Sequence, residues 1–228
     1  MSTFPKTRSD TSASPKPRST TNASAPTGLE GNGALLVREI ALASRIQRGL
    51  ENLYRLDHAA NVDDFVHHAD DGEREGLLVR ETEGGLELRL HLPRLGSGGE
   101  HLDPICQIIE GVSHFVYLAD RASRDRETTQ LELELQAEVD KYVVLAASLE
   151  SFDERTSRRL RARLYERVSF IHAPDTIEGE RYRVANERAR RFTGRLEREF
   201  IVRARYTELR EELRRFFHMS QGDKLRAA

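Results

Sequence analysis

From Ala34 to about Leu56 the apolar residues Leu36, Ile40, Ala43, Ile46, Leu50 and Leu53 recur in steps of three and four. That spacing places them on one face of a helix. An acidic connector follows, with room for one short helix at Val62–Ala69. The period then changes to two. In "GLLVRETEGGLELRLHLP", Leu86, Leu88, Leu90 and Leu92 alternate with Glu87, Arg89 and His91 around a Gly84-Gly85 turn. This predicts a β-hairpin at about 77–92 with one apolar face. A lone hairpin is marginal in water, so its leucines are expected to pack on a helix or on another chain.

After the loop "RLGSGGEH", Asp103-Pro104 reads as a helix start. Four helical patterns follow. Pro104–Ala122 carries Ile105, Ile108, Ile109, Val112, Phe115, Val116 and Ala119. Thr129–Glu150 carries Leu131, Leu135, Val139, Tyr142, Ala146 and Leu149. The third, Asp153–Ile171, carries Leu160, Leu164, Val168 and Ile171. The last pattern runs from Glu180 to Phe217. Its seam of Tyr182, Phe192, Leu196, Tyr206, Leu209, Leu213 and Phe216 fits a coiled-coil-like arm, or a helix that breaks near Gly194. The fold class is therefore mainly α: a bundle of about five helices with one inserted β-hairpin and a long C-terminal helix.

Composition sets the limits of this unit. Residues 1–33 form a Ser/Thr/Pro-rich tail, expected to be disordered because it holds too little apolar area to offset its ordering entropy. Residues 34–220 are expected to make a single helical domain, and 221–228 a disordered terminus. One cysteine, Cys106, excludes an intramolecular disulfide. No apolar run reaches the roughly 20 residues that span a bilayer, and no secretory signal pattern is seen, so a cytoplasmic protein with no membrane contact is expected. Arginine outnumbers lysine 32 to 4, pointing to a GC-rich, bacterial-type coding sequence.

The net charge of −2 hides a split. Residues 29–152 hold 12 basic and 24 acidic residues (−12), and 153–228 hold 20 and 13 (+7). The two halves are expected to pack together and neutralise each other, and a nucleic-acid partner through 153–228 is the alternative.

Chemistry-bearing clusters are few. Glu110 and His114 are four apart on a helix, and with Asp103, Gln107, Tyr117 and Arg121 they make a polar stripe opposite the apolar one. Glu134 and Glu138 on the next helix could supply further oxygens, so these four residues form a candidate metal site. His58, Asp63, Asp64, His67 and His68 form a second His/Asp cluster. No nucleotide-binding or other cofactor motif appears, and no cofactor is expected.

Arg167 and His172 in "YERVSFIHAPDT" are separated by four residues near a helix end. The pair resembles the Arg-x4-6-His motif of the HEPN family, whose helical domains include RNA-cleaving dimers. The resemblance implies a metal-independent ribonuclease in which His172 moves protons and Arg167 stabilises charge on the scissile phosphate. It rests on this one motif. Without a stronger catalytic signature, the sequence favours a non-enzymatic interaction or regulatory protein. Such a protein would work through the 182–216 seam and the charge split, with a protein partner or self-association. The ribonuclease and a carboxylate/histidine metal-binding helical protein are the alternatives.

Overall fold

A computed structural model describes residues 29–58, 60–68, 76–82, 85–95 and 102–228. Within them the chain forms seven α-helices and a three-stranded sheet: α1 (Leu29–Tyr54), β1 (Val66–His68), β2 (Gly76–Thr82), β3 (Gly85–Leu92), α2 (Leu102–Ser123), α3 (Gln130–Ala147), α4 (Glu154–Arg161), α5 (Ile177–Leu196), α6 (Tyr206–His218) and α7 (Gln221–Ala227). This is a helical bundle with an inserted hairpin. The tail at 1–28 and the loop at 96–101 lie outside the described residues, but residues 29–33, expected in the tail, already belong to α1.

The helix starts are written in local chemistry. Thr129 and Glu132 form a reciprocal capping box at α3, the Thr129 hydroxyl accepting from the Glu132 amide at 3.1 Å. Asp153 and Thr156 do the same for α4. Thr176 caps α5 by accepting from the Gly179 amide at 3.0 Å.

The hairpin pairs Thr82 with Gly85 and Leu77 with Leu90. Leu90 and Leu92 are buried, and β3 packs on α2, so a helix of the same chain covers this apolar face. The segment expected as a helix at Val62–Ala69 is instead a 3-10 turn, Val62–Phe65, followed by β1. β1 pairs parallel with β3, Val66 opposite Leu90, and occupies the hairpin's open edge. Three residues are too short a strand to show a period.

Three further expectations are corrected. The third helix does not reach Ile171. A π-turn at Ala162–Glu166 ends it, with the Arg167 amide bonded to the Ala162 carbonyl at 3.2 Å. The extra residue in that turn rotates the chain out of register, leaving Val168 41% and Ile171 65% exposed.

The long C-terminal helix also breaks, but past Gly194. A second π-turn, Glu197–Ile201, leads to Ala204 at φ 52°, and α6 starts at Tyr206. Gly194 serves a close approach instead, since a Cβ there would lie 2.6 Å from the Arg161 guanidinium. That guanidinium bonds Glu197 and the Arg190 carbonyl.

Residues 221–227, expected to be disordered, form α7, because Lys224 is bonded deep inside the bundle.

The break folds the expected seam back into the protein's own core. Phe192, Leu196, Leu213 and Phe216 are buried, and the Phe192 and Phe216 rings stack at 4.0 Å. Tyr54 and Phe217 stack at 4.2 Å beside them. Leu209 is half-buried, Tyr182 is half-buried in α5, and Tyr206 donates to the Phe152 carbonyl. The seam is thus largely internal packing.

α3 is the centre of the bundle, packed against α1, α2, α4, α5 and α7. No residue from Leu131 to Ala146 is exposed. Among the described residues no helix is long and apolar enough to cross a membrane. The basic half pairs chiefly with its own acids, as in Arg161–Glu197, Arg195–Glu212 and Arg190–Glu187. Arg181–Glu134, at 3.8 Å, joins the two halves.

Candidate functional site

Apart from its first member, Asp103, which is exposed, the polar stripe of α2 does not face solvent. Gln107, Glu110, His114, Tyr117 and Arg121 are all buried. They lie against the polar positions of α3, and two separate networks result.

The first network is structural. Asp140 accepts from Ser113 at 2.6 Å and from Tyr54. Gln136 donates to Asp140 at 3.0 Å and accepts from Lys224 at 2.8 Å. Lys224 also donates to the Tyr117 hydroxyl at 3.0 Å, which in turn accepts from Arg121. These bonds tie α1, α2, α3 and α7 together, and the Arg121 Nε is the one buried polar atom among these groups left without a partner among the described residues.

The second network is not closed in the same way. Glu110 and His114, one turn apart on α2, face Glu134 on α3. One ligand atom from each of the three lies within 4.8 Å of the others, and all three residues are buried. The His114 Nε2 is 3.8 Å from a Glu134 oxygen, too long for a hydrogen bond, and has no other hydrogen-bond partner. The residue is only 9% exposed. Around this trio Lys141 donates to Glu110 at 3.0 Å and to Glu138 at 2.7 Å, and Arg181 approaches Glu134 from α5.

The electrostatics follow from crowding six ionisable groups, Glu110, His114, Glu134, Glu138, Lys141 and Arg181, into little solvent. Burial, then the neighbouring Glu110, pushes the Glu134 carboxyl up to about 8, with Arg181 and Lys141 opposing. Burial also raises Glu138 and lowers His114, so the imidazole is held neutral. Burial works against the charge of Lys141, but Glu138 and Glu110 outweigh it and keep the ammonium protonated.

Of the four residues expected at a metal site, the fold therefore brings Glu110, His114 and Glu134 together. Glu138 stands beside them, bonded to Lys141. Two carboxylates and a neutral imidazole suit several divalent first-row ions, and three protein ligands leave a coordination position open. The sequence reading missed Lys141 and Arg181. A lysine and an arginine aimed at a carboxylate cluster from other turns leave no spacing signal.

A cavity of about 760 Å³ opens beside this cluster. Glu110, Glu138 and Lys141 form part of its lining, and Arg163, Arg167 and His172 lie on the wall contributed by the chain after α4. Because the helix ends at Glu166, Arg167 and His172 share this one wall instead of standing on opposite sides of a helix. The His172 ring is stacked flat on Tyr182, with centroids 5.4 Å apart, and its carbonyl accepts from Arg183. Cys106 also lines the cavity. Burial pushes its thiol up to about 11, which keeps it protonated and poorly nucleophilic at neutral pH.

Among its described residues the second His/Asp cluster does not converge. Both His58 ring nitrogens are taken, by Glu51 and by Asn61. Asp63 accepts from Ser44, and the His67 ring lies 6.1 Å from that of His91. The His68 side chain, and His101 of the loop, lie outside the described residues.

Comparison with known proteins finds no matching family model, no matching curated protein and no matching solved structure.

Proposed function

We propose that this chain binds a divalent first-row transition metal ion through Glu110, His114 and Glu134 and uses it on a ligand held in the adjoining cavity. One observation carries the reading: the His114 Nε2 is buried, has no hydrogen-bond partner and lies 3.8 Å from a Glu134 oxygen, in a cluster that Glu110 completes from the other helix. A polar ring nitrogen left in that state is costly in a protein interior unless something else uses it. Lys141 and Arg181 would orient the two carboxylates from outside the first coordination sphere. A bound ion with an open position would supply Lewis acidity to whatever occupies the cavity.

The test is a titration of metal-free full-length protein with Co²⁺, Mn²⁺ and Zn²⁺. The expected result is one equivalent bound, with a Co²⁺ ligand-field spectrum, and affinity lowered at least tenfold in His114→Ala and in Glu134→Gln. No stoichiometric binding, or binding indifferent to both substitutions, would overturn the reading.

The non-enzymatic interaction reading loses its main support, because Phe192, Leu196, Leu213 and Phe216 are committed to the protein's own core. A second reading, metal-independent RNA cleavage by Arg167 and His172, is favoured by their shared cavity wall. Cleavage of single-stranded RNA in EDTA, abolished by His172→Ala, would select it over the metal reading.

A further inference from the structure

The cavity has a polarity of its own. On the side formed by α2 and α3 the charges answer one another: Lys141 bonds both Glu110 and Glu138, and Asp103 accepts from Gln107 at 2.7 Å. Its outer wall is different. Arg163 lies in the π-turn and Arg167 caps it, and both line the cavity and are exposed. Neither is in an ion pair or a side-chain hydrogen bond among the described residues. That contrasts with Arg161, Arg190 and Arg195 nearby, each of which is paired with a glutamate. Alongside these groups Leu102, Leu164, Val168 and Phe170 provide apolar surface.

The π-turn is what creates this arrangement. In a continuous α-helix Val168 would keep the apolar stripe and draw the chain onto the core. The extra residue releases 167–172 as a wall that stands away from α2 and α3, and the space between is the cavity. Two guanidinium forks on the outer wall favour an oxyanion with several oxygens, since each fork can donate to two of them. A volume of about 760 Å³ with apolar sides is far more than an inorganic ion fills, and falls in the range of small-molecule sites.

We infer that the cavity is a binding site for a small organic phosphate monoester, its phosphate held by Arg163 and Arg167 and its apolar body lying against Leu164 and Phe170. This goes beyond the metal reading and does not depend on it, because neither arginine is a metal ligand.

The experiment uses full-length protein freed of metal with EDTA and titrated with phenyl phosphate, followed by calorimetry. Saturable binding is expected, at least tenfold tighter than that of inorganic phosphate or of benzoate. The Arg163→Gln/Arg167→Gln double variant, altered only at exposed positions, should lose at least tenfold in affinity with an unchanged melting temperature. His114→Ala should bind phenyl phosphate as the wild type does, which separates this result from the metal test. Absence of saturable binding, equal affinity for inorganic phosphate, or affinity unchanged in the double variant would each overturn the inference. So would tighter binding of benzoate than of phenyl phosphate.

Discussion

The ammonium of Lys224 lies 2.8 Å from the side-chain oxygen of Gln136, which joins the short helix α7 to the middle of α3. The amine is fully buried, 4.1 Å from the centre of the Tyr117 ring, and burial, then Arg121, brings its pKa down to about 7. The unfolded chain would hold this proton up to a pH near 10.5. Between about pH 7 and 10.5 the unfolded state therefore binds more protons, and this group's contribution to stability rises with pH. Lys224→Met removes that contribution and leaves Gln136 without its donor, at a cost of about 1–3 kcal/mol at pH 7. Urea denaturation should show the deficit of the variant growing between pH 7 and 9.5. A deficit that shrank over that interval would contradict the assignment.

Glu134 gives the opposite slope. Its folded-state pKa of about 8 lies above the ordinary 4.5, so the metal-free folded protein holds the extra proton between those values. Its contribution to stability is then present at pH 4.5 and lost as the pH rises through 8. In metal-free protein, Glu134→Gln should gain on the wild type steadily from pH 5 to pH 8.5. Thermal melts of the two proteins in parallel would measure this.

Gly179 sits in the first turn of α5, where a Cβ would lie 1.8 Å from the Ala173 carbonyl oxygen. The clash is with backbone and cannot be relieved by a rotamer change. Gly179→Ala should cost about 1–3 kcal/mol and displace the 167–176 segment that walls the cavity. The nuclear magnetic resonance signals of the His172 ring, now stacked on Tyr182, should shift.

The internal position of the aromatic seam is testable directly. Phe192→Ala should cost about 3–5 kcal/mol through lost burial and the cavity left beside Phe216. Sedimentation velocity should show the same oligomeric state for the variant as for the wild type. A change of assembly with full monomer stability would instead mark Phe192 as an interface residue.

The parts of this fold with a strong period were legible in the sequence. The hairpin registered because Leu88, Leu90 and Leu92 alternate, and α1, α2 and α3 registered through steps of three and four. β1 and α7 were not legible, since each is too short for a period and α7 is held by a buried lysine that reads as polar surface. The π-turns were also invisible, because the apolar pattern runs on through Val168 and past Ile201 where the backbone does not. For the candidate site, the Glu110/His114 spacing was visible and its burial was not. A buried polar stripe and a solvated one have the same letters, and only the carboxylates and lysine of the facing helix distinguish them.

α3 carries one polar network on one side and the carboxylate cluster on another, with no exposed position from Leu131 to Ala146. A helix enclosed on every side has no permissive face. In a saturation-mutagenesis map the stretch would appear as an unbroken block of intolerance, without the every-third-or-fourth rhythm that a half-exposed helix leaves. The glutamates and lysine of that block would rank with its leucines, so tolerance to substitution, unlike hydrophobicity, would single out α3 as the axis of the molecule.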